Sequence, residues 1–110
     1  MRTESISGRA AFARVVAQGR RVRRSGMTIL AAPRADGVGS ARLGIAVRTR
    51  TAVERNRARR RVRAAFGDCA ERFGPVDVLV RGDRCLARMP YERLKSELCT
   101  GVSEAVRGAR

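Results

Sequence analysis

The chain has 110 residues, 44% of them apolar, with 25 Lys and Arg against 10 Asp and Glu and a formal net charge of +15. That length fits one domain spanning residues 1–110, and the apolar share suffices for a small core of Val, Leu, Ile and Ala, which argues against disorder. The charge calls for a polyanionic partner to relieve its self-repulsion, and the absence of histidine removes the commonest general base and metal ligand, which disfavours catalysis by the protein itself.

Ser7 is placed to cap a helix from Gly8 to Gln18 that carries Phe12, Val15 and Val16 on one face and stops at Gly19. Gly19 to Gly26, GRRVRRSG, reads as a basic connection. Met27–Ala32 and Ala41–Val47 read as strands around the Asp36-Gly37 turn, and their proximity predicts an antiparallel hairpin, with Leu43, Ile45 and Val47 on one face. Arg48–Thr51, RTRT, leads into a helix in which Ala58, Val62, Ala65, Phe66, Cys69 and Phe73 form one apolar stripe. That helix has a point of fraying or kinking at Gly67 and ends by Gly74-Pro75. Val76–Val80 is a short buried strand, Arg81–Arg84 a turn, and Tyr91–Val106 a last helix entered through Pro90. The order α, β, β, α, β, α predicts an α/β (α+β) two-layer sandwich, three helices on one small mixed sheet.

Between Arg55 and Arg63 six of nine residues are arginine. Opposite the apolar stripe a helical wheel places Asn56, Arg57, Arg60 and Arg63, with Arg59 at the edge and Arg55 and Arg61 flanking the core side with their guanidinium groups wet. Like charges four apart repel, so a helix selected for stability would interleave Glu; this one accumulates repulsion that phosphates would turn into attraction. Arg forks suit phosphate oxygens, and the Asn56 amide can both donate to a phosphate or 2′-OH and accept from a ribose or base. Such contacts read RNA shape more than sequence.

The remaining chemistry is sparse. No stretch is long enough to cross a membrane, and Met1–Ser7 lacks a signal peptide's apolar segment, so the cytoplasm is the expected compartment. Cys69, Cys85 and Cys99, odd in number and widely spaced, read as reduced thiols in apolar surroundings. Asp68, Glu71, Asp77 and Asp83 are the nearest approach to a carboxylate cluster, and their spacing defines no metal site.

AVERNRARRRVRAAF resembles the signature of the bacterial ribonuclease P protein component, through Arg55-Asn56-Arg57, Arg59, Arg60, Arg63 and Phe66. FARVVAQG, RLGIAV and VDVLVR resemble that family's first helix and two of its strands. The resemblance implies a fold like the second domain of ribosomal protein S5, with a left-handed βαβ crossover. It also implies a subunit of an endoribonuclease holoenzyme that removes the 5′ leader of precursor tRNA. The catalytic centre would lie in the RNA subunit, with Mg2+ bound mainly by RNA and no catalytic or metal-binding residue in this chain. Arg55, Asn56, Arg57, Arg59, Arg60 and Arg63 would contact the RNA, with Arg48 and Arg50 adding charge. Phe12 matches an aromatic of the leader cleft. Val16, and Leu30 beside Ile29, stand where many members carry further rings. The expected partners are ribonuclease P RNA and precursor tRNA, without membrane or DNA. The alternative reading is a structural RNA-binding protein of the ribosome or its assembly.

Overall fold

The computed structural model describes residues 4–6 and 8–109; the Ser7 cap lies outside them. In chain order the elements are β1 (Glu4–Ser5), α1 (Arg9–Gln18), β2 (Arg20–Arg24), β3 (Met27–Pro33), β4 (Arg42–Val47), α2 (Ala52–Gly67), a 3-10 turn (Ala70–Arg72), β5 (Val76–Gly82), α3 (Cys85–Arg88) and α4 (Tyr91–Ala109). The five strands form one mixed sheet in the order β1-β4-β5-β3-β2.

Two sequence expectations are corrected. The basic connection after α1 is a strand: β2 pairs antiparallel with β3 through the two-residue turn Ser25-Gly26, where both residues have positive φ (48° and 80°). Its backbone satisfies the ladder, while Arg24 reaches Glu97 and Glu104 on α4 at 2.7 and 2.8 Å. The expected hairpin between β3 and β4 does not form either. β5 inserts between them, antiparallel to β3 and parallel to β4. The run VDVLV, buried on both faces, makes it the natural central strand.

Alternation along the strands divides the core. Met27, Ile29, Ala31, Leu43, Val78 and Val80 join the buried stripes of α2 (Ala58, Val62, Ala65, Phe66) and α4 (Leu94, Leu98, Val102, Ala105). Those two helices and the sheet make the expected pair of layers. The opposite sheet face buries Leu30, Ala32 and Leu79 under Val15, with Ile6 alongside and Ala11 and Phe12 packed on it, so α1 covers that side. Val16, expected on the packed face of α1, is 41% exposed because Val15 takes the inward position. Gly101 lets α4 approach β3, since a Cβ there would sit 2.4 Å from Ile29 Cδ1.

The expectation of three reduced thiols is also corrected. Cys69, just past α2, and Cys99 on α4 form a disulfide with Cα atoms 6.2 Å apart; Cys85 is free. The helix packing brings together two thiols 30 residues apart, which no sequence spacing would reveal.

Candidate nucleic-acid interface

α2 begins with Thr51 as N-cap: its hydroxyl accepts the Glu54 amide at 3.1 Å, and Glu54 places a negative charge in the first turn. The pattern Thr51-x-x-Glu54 was legible in the sequence as a helix start. The Glu54 carboxylate turns toward Arg88, 3.6 Å away, and so leaves its helix neighbours unneutralised.

Asn56, Arg57, Arg59, Arg60 and Arg63 are exposed and Arg55 is half-buried. Among the described residues none of these five arginines forms an ion pair. Six acids are engaged elsewhere: Asp77 with Arg42, Asp36 and Glu4 with Arg34, Glu97 and Glu104 with Arg24, and Asp68 with Lys95. Arg48 and Arg50, also exposed, stand just before the N-terminus of α2 and extend the cationic surface.

Arg61 departs from expectation. Its half-buried guanidinium is tied to the protein, donating from Nη1 to Leu86 O at 2.8 Å and from Nη2 to Met89 O, closing the C-terminal end of α3. Burial and the neighbouring charge of Arg57 lower its pKa. Of six arginines in the run, this one anchors the helix, and its place on the core side of the wheel was the available signal.

A groove of about 810 Å³ opens where the parallel strands β4 and β5 end and α2 begins, and Thr28, Ala46, Arg48, Arg59, Arg81 and Asp83 are among its lining residues. Strand register makes Thr28, Arg81 and Ala46 one row across β3, β5 and β4, on the same sheet face as Leu30 and Leu79 but beyond the row α1 covers. The Arg48 amide donates to Gly82 O at 2.9 Å, which ties the RTRT connection to the end of β5.

Two residues before Ala46 on the same face of β4 is Gly44, and the Phe12 ring lies over it: a Cβ there would come within 2.8 Å of Phe12 Cε1. Phe12 is half-buried and Val16, one turn further along α1, is exposed. Leu30 has no exposed surface and forms part of the floor beneath α1.

The chain matches a family model, that of Ribonuclease P, over residues 1–106. The chain belongs to the ribonuclease P protein family. It is therefore a subunit of an RNA-containing endoribonuclease that processes tRNA, and ribonuclease P RNA is its partner. Solved structures agree on the fold. The Staphylococcus aureus RNase P protein superposes with a TM-score of 0.79 at 22% identity, covering 94% of this chain and 96% of that one. The Thermotoga maritima RNase P protein gives a TM-score of 0.75, also at 22% identity, with the same coverage. A comparison with curated protein sequences finds no match.

Among the described residues no three His, Cys, Asp or Glu side chains gather as metal ligands, and no helix is long and apolar enough to cross a membrane.

Proposed function

We propose that the outward face of α2 docks on the catalytic RNA subunit, and that the α1 face of the sheet carries the 5′ leader of precursor tRNA. The observation that carries this reading is the set of unpaired arginines on α2: Arg55, Arg57, Arg59, Arg60 and Arg63 keep their charge available while most acids elsewhere are paired. Phosphates supply the missing counter-charge, and their binding releases counterions from the RNA. Asn56, between two of these arginines, adds a contact to a phosphate, ribose or base edge.

From Arg48 and Arg59 the groove runs past Arg81 and Thr28 toward Phe12, a path suited to a single strand whose phosphates meet cations and whose base or ribose rests on one ring. The protein's part is to hold and orient; the hydrolysis of one phosphodiester bond, which yields the mature tRNA 5′ end, belongs to the RNA subunit. Magnesium ions held mainly by RNA would supply the activated water and stabilise the leaving oxygen. The arginine-dominated face offers them no donor set, and no step is assigned to this chain through them. The cytoplasm is the compartment proposed, with RNA rather than DNA or membrane as partner.

The test is Arg57→Ala combined with Arg60→Ala in the assembled holoenzyme. The expected result is slower precursor cleavage at low magnesium in a protein that still folds, with the slope of log affinity against log salt reduced by roughly 0.7–0.9 for each phosphate that is no longer neutralised. Unchanged cleavage kinetics would remove the role given to α2. Sequencing of the co-purifying RNA should recover ribonuclease P RNA; ribosomal RNA in its place would favour a structural role in the ribosome.

A further inference from the structure

The groove contains one acid. Asp83 follows Gly82 at the end of β5, is exposed, and is ringed by arginines: Arg48, Arg59 and Arg81 line the groove with it, and Arg48, Arg50 and Arg84 line an adjoining hollow of about 400 Å³ that Asp83 also borders. Most acids of this molecule that stand among arginines close on one, as Asp77 does on Arg42 at 2.6 Å and Glu97 on Arg24 at 2.7 Å. Asp83 forms no ion pair among the described residues. Its Oδ1 instead accepts the Cys85 backbone N–H at 2.9 Å, which fixes the carboxylate at the groove wall. That N–H bond foremost, then the Cys85 side chain and the charge of Arg84, lower its pKa and keep it ionised at neutral pH.

A groove meant only for phosphates gains nothing from a fixed anion. The arrangement makes chemical sense for an occupant that brings phosphates and a hydrogen-bond donor together, as a nucleotide strand does. A carboxylate has about four lone-pair sites, and the two Cys85 contacts leave room for another donor. Exocyclic amines of cytosine, adenine and guanine are such donors, and cytosine N4 to a carboxylate is an established pairing. Uracil has no amine: it carries a carbonyl oxygen where cytosine and adenine carry theirs, and its one N–H donor lies between two carbonyl oxygens, which a carboxylate repels.

Resting on the leader path proposed above, we infer that Asp83 reads one leader nucleotide, accepting from an amine-bearing base and disfavouring uridine, while Arg48, Arg59 and Arg81 hold the flanking phosphates. Asp83 is thus a specificity-determining residue and the arginines supply affinity alone.

The test uses the assembled holoenzyme and precursor tRNAs in which each leader nucleotide in turn is uridine, compared by kcat/KM in competition. At one leader position uridine should be disfavoured by about tenfold, the lower end of the scale of one hydrogen bond to a charged group. Asp83→Asn keeps an oxygen for the Cys85 N–H but removes the charge, and it should shrink that penalty to less than about twofold. Arg81→Gln, by contrast, should weaken all leaders by a common factor with the penalty intact. Several results overturn the inference: no uridine penalty in the unsubstituted protein, an Asp83→Asn effect equal for every leader, or a changed magnesium requirement with unchanged base preference, which would mark Asp83 as a cation contact. If the protein gives no preference for precursor over mature tRNA, the leader path itself fails and Asp83 with it; if that preference is present without a uridine penalty, only the role of Asp83 fails.

Discussion

Arg42 and Asp77 face each other across neighbouring parallel strands, with Nε 2.6 Å from Oδ1 and Nη2 2.8 Å from Oδ2. Asp77 is the one buried charged residue among the described residues, and the Arg42 fork satisfies both of its oxygens. Removing one partner leaves a charge in the core without compensation. Arg42→Met should therefore lower the unfolding free energy in urea by about 3–5 kcal/mol, and adding Asp77→Leu should recover most of it. RNA affinity of the folded protein should be unchanged, because the pair lies at the start of β4 and β5 and the groove at their far ends.

Arg61 and Arg60 are chain neighbours with opposite duties. Arg61→Ala leaves the Leu86 and Met89 carbonyls without their donor and should cost about 1–3 kcal/mol of stability. Its effect on the salt dependence of RNA binding should be small. Arg60→Ala should do the reverse, leaving urea unfolding within about 0.5 kcal/mol of the parent while lowering the salt slope.

Gly44 sets the position of the ring in the candidate leader path. Gly44→Ala would push a methyl group against Phe12 Cε1 and Cζ, and such overpacking costs about 1–3 kcal/mol. With the ring displaced, preference for precursor over mature tRNA should fall. In a Phe12→Ala background the same substitution should cost almost nothing, and a double-mutant cycle on urea midpoints checks that coupling.

The Cys69–Cys99 bridge closes a loop of 30 residues, and chain-entropy reasoning assigns such a loop about 3.5 kcal/mol. Reductant should lower the unfolding free energy by that order. Cys99→Ala should show the same decrease with no further response to reductant, and Cys85→Ala should respond as the parent does. Peptide mapping without reduction checks the pairing directly.

How much of this was legible from residues alone follows from where the information lies. The core stripes of α2 and α4 were readable because a period near 3.6 is local; every position of the stripe expected from Ala58 to Phe73 is buried, although α2 ends at Gly67 and Cys69 and Phe73 flank the 3-10 turn beyond it. Strand identity was readable for β3, β4 and β5, but strand partners were not: nothing within MTILAA or RLGIAV says that VDVLV will come between them. β2 was hidden because its sequence, RRVRR, offers one apolar residue and takes its stability from the β3 backbone and from carboxylates on α4. The Ser25-Gly26 turn was the signal available for it. The outward arginines of α2 were legible as a face. That Arg61 would bind carbonyls, and that Asp83 would sit in the groove, depended on α3, a four-residue helix too short to show a period.

The strand order carries a consequence for synthesis. β5 is the last strand to leave the ribosome and the central one in the sheet, with β4 on one side and β3 on the other. Until residue 82 has emerged, β4 lacks the strand that joins it to β3 and β2, whereas the arginine helix is already outside. For that interval the nascent chain is a cationic segment without a finished core, and long-range pairing of this kind is slow to form. A chain truncated before Val76 would keep all six arginines of the Arg55–Arg63 run and lack the strand that unites the sheet.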